Sequence, residues 1–167
     1  MLLIEEIQRN TTILSHTKWE AILEEDQLNW DYHHTLPFRI TVETQLHTFQ
    51  FKVIHRILVT NTKLLLFKIR INDRCTFCEI NKETITHLFW NCHHVKTIWL
   101  QTEDWVNEMT HSRLKLNQRS IILGDQEIDD NKPMNHIILI VKYYIYIPVD
   151  VKKNFPLSKG RNKVYIK

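Results

Sequence analysis

Residues 75–92 read CTFCEINKETITHLFWNC and hold every cysteine of the 167-residue chain. The pattern is Cys75, two residues, Cys78, eight residues, His87, four residues, Cys92. A C-x2-C turn presents two thiolates to one point, and a histidine with a further cysteine completes the four donors that Zn2+ takes in a tetrahedron. Rival chemistries fail on single residues. Covalent haem needs His directly after the second Cys, where this chain has Glu79. A nucleobase deaminase needs H-x-E ahead of P-C-x-x-C, but Arg74 precedes Cys75 and no H-x-E occurs. A thioredoxin-like C-x-x-C sits in an α/β unit, and no βαβ pattern surrounds this one. Four protein donors close the site, so one structural Zn2+ is expected, bound by Cys75, Cys78, His87 and Cys92. Binding it would then act as folding energy for the loop.

His93 and His94 are rivals for the fourth position, and the spacing leaves that choice open; His87 is favoured because a ligand adjacent to Cys92 reaches the same ion only with strain. A second geometric condition follows from Ile85, Leu88, Cys92, Val95 and Trp99, which repeat at three and four as though one helix ran from Glu83 to Met109. On a regular helix, residues five apart lie roughly 140° apart around the axis, too far to share an ion. The helix is therefore expected to end near Trp90 or Asn91, with Asn91 left-handed, and to restart at His93. Asn81 or Thr84 caps its start, and Glu83 suits the positive helix end.

Outward from the cluster, the chain reads as mainly α, a helical module around a small, irregular, zinc-knuckle-like Cys3His loop. ETQLHTFQFKVIHRIL, from Glu43, carries the stripe Leu46, Phe49, Val53, Ile54 and Ile57, then Thr60, Asn61 and Thr62 interrupt before KLLLFKIRI. That is a helical hairpin entering the cysteines. Four segments result: an acidic flank over 1–42, the hairpin and zinc domain over 43–109, a helical extension over 110–147 and a basic, loosely ordered tail over 148–167. Short strands are expected, if anywhere, near Ile121 or around Cys75.

Charge is uneven. Residues 1–46 hold three Lys or Arg against eight Asp or Glu, whereas residues 47–100 hold eight against three. A basic middle suits a polyanion, and Arg56, Lys63, Lys68, Arg70, Arg74 and Lys96 are candidate phosphate contacts. Phe77 is either a base-stacking platform or a plug over the loop. With only Gly124 and Gly160 in the chain, phosphate-cradling glycine loops are excluded, and no small-molecule substrate is expected. IILIVKYYIYI, from Ile137, includes Lys142 and falls short of the ~20 residues of a membrane span. The start MLLIEEIQRN lacks a basic n-region and a long apolar run, so an intracellular protein, nuclear or cytoplasmic, is expected.

FQFKVIHRILVTN, KETITHLFWNC and VKTIWLQTEDWVNEM together resemble the zinc-binding domain C-terminal to reverse transcriptases of non-LTR, LINE-type retrotransposons, and NHIILIVKYYIYI is similar to the segment that follows it. The resemblance spans about Trp19 to Ile147. It implies the same four ligands, with Phe89, Trp90 and Trp99 packed around them. It also implies RNA or DNA as partner, a reverse-transcriptase polymerase domain as a further one, and a role supporting target-primed reverse transcription. No Y-x-D-D-like polymerase signature or endonuclease accompanies it, and Asp129 and Asp130 read as a solvated turn, so no enzyme is expected. The alternatives are a protein-interaction or scaffold module, supported by the apolar 137–147 helix and by Trp19, Trp30, Trp90, Trp99 and Trp105, or a remnant without function.

Overall fold

A computed structural model describes residues 2–111, 113–125 and 132–154, with side-chain surroundings from residue 10 to residue 149. Among the described residues, seven α-helices and one π turn follow in order: α1 Leu2–Leu23, α2 Trp30–Ile40, α3 Thr44–Ile54, α4 Asn61–Leu66, the π turn His87–Asn91, α5 His93–Thr110, α6 Gln118–Leu123 and α7 Lys132–Asn154. The fold is mainly helical, as the periodicity implies, and among the described residues the extended pairing is an isolated antiparallel bridge, Arg74 with Lys82, in the cysteine loop.

The 43–58 stripe becomes α3, which stops at Ile54, earlier than its apolar pattern. Three side chains satisfy the carbonyls left open at that end. The Trp19 indole donates to Ile54 O at 2.9 Å and the Ser15 hydroxyl to His55 O at 3.0 Å, both from α1, while the Lys63 ammonium donates to Arg56 O. Arg56 takes a left-handed φ of 56° and lays its guanidinium over the Trp19 ring, 4.6 Å from the centroid. Thus α1 clamps α3, and Trp19 is buried in the same apolar cluster as Phe49, Val53 and Leu88.

Ile121 lies in a short helix and not a strand. Asn117 accepts from Ser120 N and the Ser120 hydroxyl accepts from Asn117 N, a reciprocal cap that starts α6 despite two β-branched residues. Gly124 ends it at φ 96°, where a Cβ would lie 2.2 Å from Leu36 Cδ2, so this turn requires glycine. Long α7 packs on α2, α3 and α6. Its Lys142 is fully buried and donates to Ile121 O and Ile122 O at 2.9 and 2.8 Å, satisfying two carbonyls at the C-terminal end of α6. The helix runs through Pro148 to Asn154, past the proline at which the sequence pattern stops it. The tail beyond Asn154 and the acidic turn with Asp129 and Asp130 lie outside the described residues. No described helix is long and apolar enough to cross a membrane.

Candidate metal centre

Cys75 and Cys78 sit in a tight knuckle. Cys75 N donates to Asn81 O at 2.7 Å, Glu79 N to Cys75 O at 2.9 Å, and Glu79 takes a left-handed φ of 58° to turn the chain back. The knuckle is tied off where Glu83 N donates to Asp73 O at 2.7 Å, beside the Arg74–Lys82 bridge. The helical turn that follows starts from Thr84, whose hydroxyl accepts from His87 N at 3.0 Å, the capping role expected of it.

The helix does break between His87 and Cys92, but by other means than a left-handed Asn91. Residues His87–Asn91 form a π turn, closed by Cys92 N donating to His87 O at 2.9 Å. An i to i+5 bond widens the turn so that residues five apart stand nearly above one another, which brings Cys92 onto the His87 side. Cys92 itself is extended at φ −67° and ψ 127°, Asn91 has no positive φ, and α5 restarts at His93. A wide turn and one extended residue thus solve the angular problem that a regular helix poses.

The donor atoms of Cys75, Cys78, His87 and Cys92 all lie within 4.8 Å of one another. Cys75 Sγ is 3.9 Å from Cys92 Sγ, and Cys78 Sγ is 3.4 Å from His87 Nε2. Thiolates on a tetrahedral Zn2+ stand roughly 3.8 Å apart, so the spacing fits the ion and is far too long for a disulfide. None of the four residues is more than 8% exposed, which closes the site to substrate. Burial pushes the Cys75 thiol up to about 12, against N–H donation from Cys78 and Phe77, so its thiolate needs a cation to form at neutral pH. Burial acts the same way on Cys78, but the N–H groups of Asn81 and Ile80, together with hydrogen bonds to the Cys75 and Cys92 thiols, hold that thiol below the usual range. Burial lowers His87, Glu83 opposing, which keeps the imidazole neutral and its Nε2 available. His93 and His94 are exposed, ring against ring at 4.0 Å, outside the donor cluster.

A family model described as zinc-binding in reverse transcriptase matches residues 14–99. The chain belongs to this reverse-transcriptase zinc-binding family. Comparison with curated proteins and with solved structures finds no match. The donor set fits one structural zinc, the metal in the family's description: Cys75, Cys78, His87 and Cys92 would hold it, and it would then tie the knuckle to the π turn at four points.

Sequence reasoning assigns Glu83 to a helix end, whereas the structure buries it completely as the strut between the zinc knuckle and α4. Its carboxylate accepts from Asn61 N at 2.9 Å, Thr76 N at 2.7 Å, the Thr76 hydroxyl and Asn61 Nδ2, and its carbonyl accepts the Thr62 hydroxyl at 2.9 Å. The start of α4 and the cysteine loop therefore meet around one buried carboxylate, with Asn61 Nδ2 also bound to Arg74 O. The clue in the sequence is the polar trio Thr60, Asn61 and Thr62 in an apolar stretch, which needs a buried partner.

Around this centre the six candidate phosphate contacts divide. Arg56 and Lys63 are half-buried and partnered at the end of α3, with burial lowering both. Lys68, Arg74 and Lys96 are exposed, and Arg70 is half-buried. Arg70 and Arg74 line one polar depression beside Cys75. Phe77 is half-buried against the core cluster, in keeping with a plug, and Trp90 packs against the same cluster. Phe89 and Trp99 are buried, the indole of Trp99 donating to Phe89 O at 2.7 Å.

Proposed function

We propose that this is a non-catalytic, zinc-stabilised nucleic-acid-binding module that holds single-stranded RNA or DNA in support of a reverse transcriptase, in the nucleus or cytoplasm. The observation that carries the reading is the pair Arg70 and Arg74, which line one polar depression on the rim of the closed zinc loop. Exposed Lys68 and Lys96 add positive charge to the same region of sequence. Zinc fixes the backbone, and the guanidinium groups meet phosphate, so affinity should fall steeply with salt. Arg56 and Lys63 are assigned to the fold and not to the strand. The test is anisotropy of a labelled single-stranded RNA at several salt concentrations. Arg74→Ala with Lys96→Ala should weaken binding and flatten the log–log salt slope by about 0.7 for each phosphate that is no longer neutralised. Unchanged affinity and slope would sink the proposal.

One observation favours protein docking as a second reading. Leu66, Phe67, Ile69 and Ile71 are exposed, from 65% for Phe67 to 96% for Ile71, while α7 buries Ile138, Leu139 and Ile145. Support for a partner surface thus moves from the 137–147 helix to residues 66–71, where a polymerase domain would cover the apolar side chains. Sedimentation of the chain with such a domain tests it. Ile69→Asp should abolish a complex formed by the parent chain, and an unchanged complex rules this surface out.

A further inference from the structure

Away from the thiolates, three imidazoles gather where α1, α2 and the end of α3 meet. His16 of α1 and His34 of α2 bring their Nε2 atoms to 2.9 Å, and the ring of His55, just past α3, lies 5.3 Å from that of His34. The His16 ring is held in place. It lies flat on Trp30, 3.8 Å between centroids and 2° from parallel, and the Trp30 indole donates at 2.9 Å to Oε1 of Glu20, one turn along α1 from His16. All three histidines are half-buried, so solvent reaches each of them.

Two nitrogens bound to one ion by bonds of ~2.0–2.1 Å stand roughly 2.9–3.4 Å apart, from a right-angled to a tetrahedral arrangement. The His16 and His34 pair already has that spacing. Burial lowers all three rings, His16 to about 4, and so leaves them neutral near pH 7 with lone pairs not taken up by protons. Glu20 near His16 and Asp31 near His34 add negative charge that suits a cation. We propose that His16 and His34 bind a divalent transition-metal ion of the imidazole-preferring kind, Ni2+, Cu2+ or Zn2+, through their Nε2 atoms, with water in the other positions and His55 close enough to replace one water. Without the ion, one Nε2–H donates to the other Nε2; on binding, that ring carries its proton on Nδ1 instead, and both Nε2 lone pairs face the metal. Two imidazoles hold an ion far less tightly than three thiolates and a histidine, so this site fills with added metal and empties on desalting. When filled, it cross-links α1 to α2.

The test is a titration of the full, zinc-loaded and desalted chain with Ni2+ near neutral pH, followed by calorimetry and by NMR of the histidine ring signals. Expected is one Ni2+ per chain beyond the zinc. Its affinity should fall about tenfold or more in His34→Gln and in His16→Gln, since even the outer partners of a metal ligand are worth that much. It should be unchanged when His93→Asn and His94→Asn together remove the exposed pair on α5, whose rings stand 4.0 Å apart. In the parent chain, a small amount of paramagnetic Ni2+ should broaden the His16 and His34 ring signals first, a readout that needs no variant to fold. The proposal is overturned by any of four results: no nickel bound below about 1 mM, an affinity unmoved by His34→Gln, broadening confined to His93 and His94, or nickel that enters only by displacing zinc, seen as a thiolate charge-transfer band. Strand binding plays no part in these readouts, so the nucleic-acid reading and this site stand or fall separately.

Discussion

Removing the Glu83 carboxylate should unhinge the zinc knuckle from the hairpin. Glu83→Ala leaves the backbone N–H groups of Asn61 and Thr76, now at 2.9 and 2.7 Å from its oxygens, without an acceptor, and strands the Thr76 hydroxyl and Asn61 Nδ2 as well. Asn61 Nδ2 retains Arg74 O, and the hydroxyl can turn, so the two backbone donors dominate. Each orphaned donor costs about 1–3 kcal/mol, and the vacated volume adds to that, giving ~3–5 kcal/mol in all. That is a large share of the ~5–15 kcal/mol by which a domain is stable. Urea unfolding of the zinc-loaded chain, followed by far-ultraviolet circular dichroism, measures it. Glu83→Gln keeps the shape and one acceptor and should fall between parent and Ala. Zinc retention against a chelator should weaken in the same order, because Thr76 lies between the two knuckle cysteines. A Glu83→Ala chain within about 1 kcal/mol of the parent would refute the strut argument.

Three further outcomes follow from the packing. Gly124→Ala should cost about 2 kcal/mol or more in the same urea assay, since it combines a φ of 96° with a Cβ 2.2 Å from Leu36 Cδ2; a neutral effect would mean that the turn relaxes freely. Burial lowers Lys142 to about 7, below the value it regains on unfolding, so its stabilising contribution is fully present above the unfolded value near 10.5 and is lost as pH falls toward 7. Relative to Lys142→Met, the parent should therefore gain stability between pH 7 and 10, at up to about 1.4 kcal/mol per pH unit, and parallel curves would contradict this. His16 is lowered to about 4 by burial and by neighbouring His34 and His55, with Glu20 opposing, so stability should be lost as pH falls from 6.5 toward 4. His16→Gln should flatten that acid slope, and an unaltered slope would show that other groups govern it.

The zinc centre is legible in the sequence because its chemistry is local. Four donors within eighteen residues constrain each other whatever the rest of the chain does, and the impossibility of a regular helix through His87 and Cys92 follows from angles alone. The π turn is not legible, because no residue in HLFWN signals an i to i+5 bond; the turn is imposed by the need to place Cys92. Long-range partners are hidden for a similar reason. The stacked His16 and Trp30 rings at 3.8 Å, and the His16 and His34 Nε2 atoms at 2.9 Å, join segments whose sequences say nothing of each other. Charge counting sets residues 1–42 apart as an acidic flank, yet Trp19 packs into the common core, because one buried indole outweighs several solvated carboxylates in deciding where a helix sits. Likewise Arg56 and Lys63 look like any basic residues until the open end of α3 gives them carbonyl and ring partners.

The centre of the molecule hangs from the ion that ties knuckle to π turn. Elemental analysis of the purified, desalted chain for zinc per polypeptide, alongside Cys92→Ser, is the most direct trial. The account predicts one zinc per parent chain, and in the variant loss of the metal together with loss of the helical signal, since the donors within 4.8 Å hold two segments that otherwise have no covalent reason to meet. A parent chain that carries no zinc and keeps its full helical signal in strong chelator would contradict it.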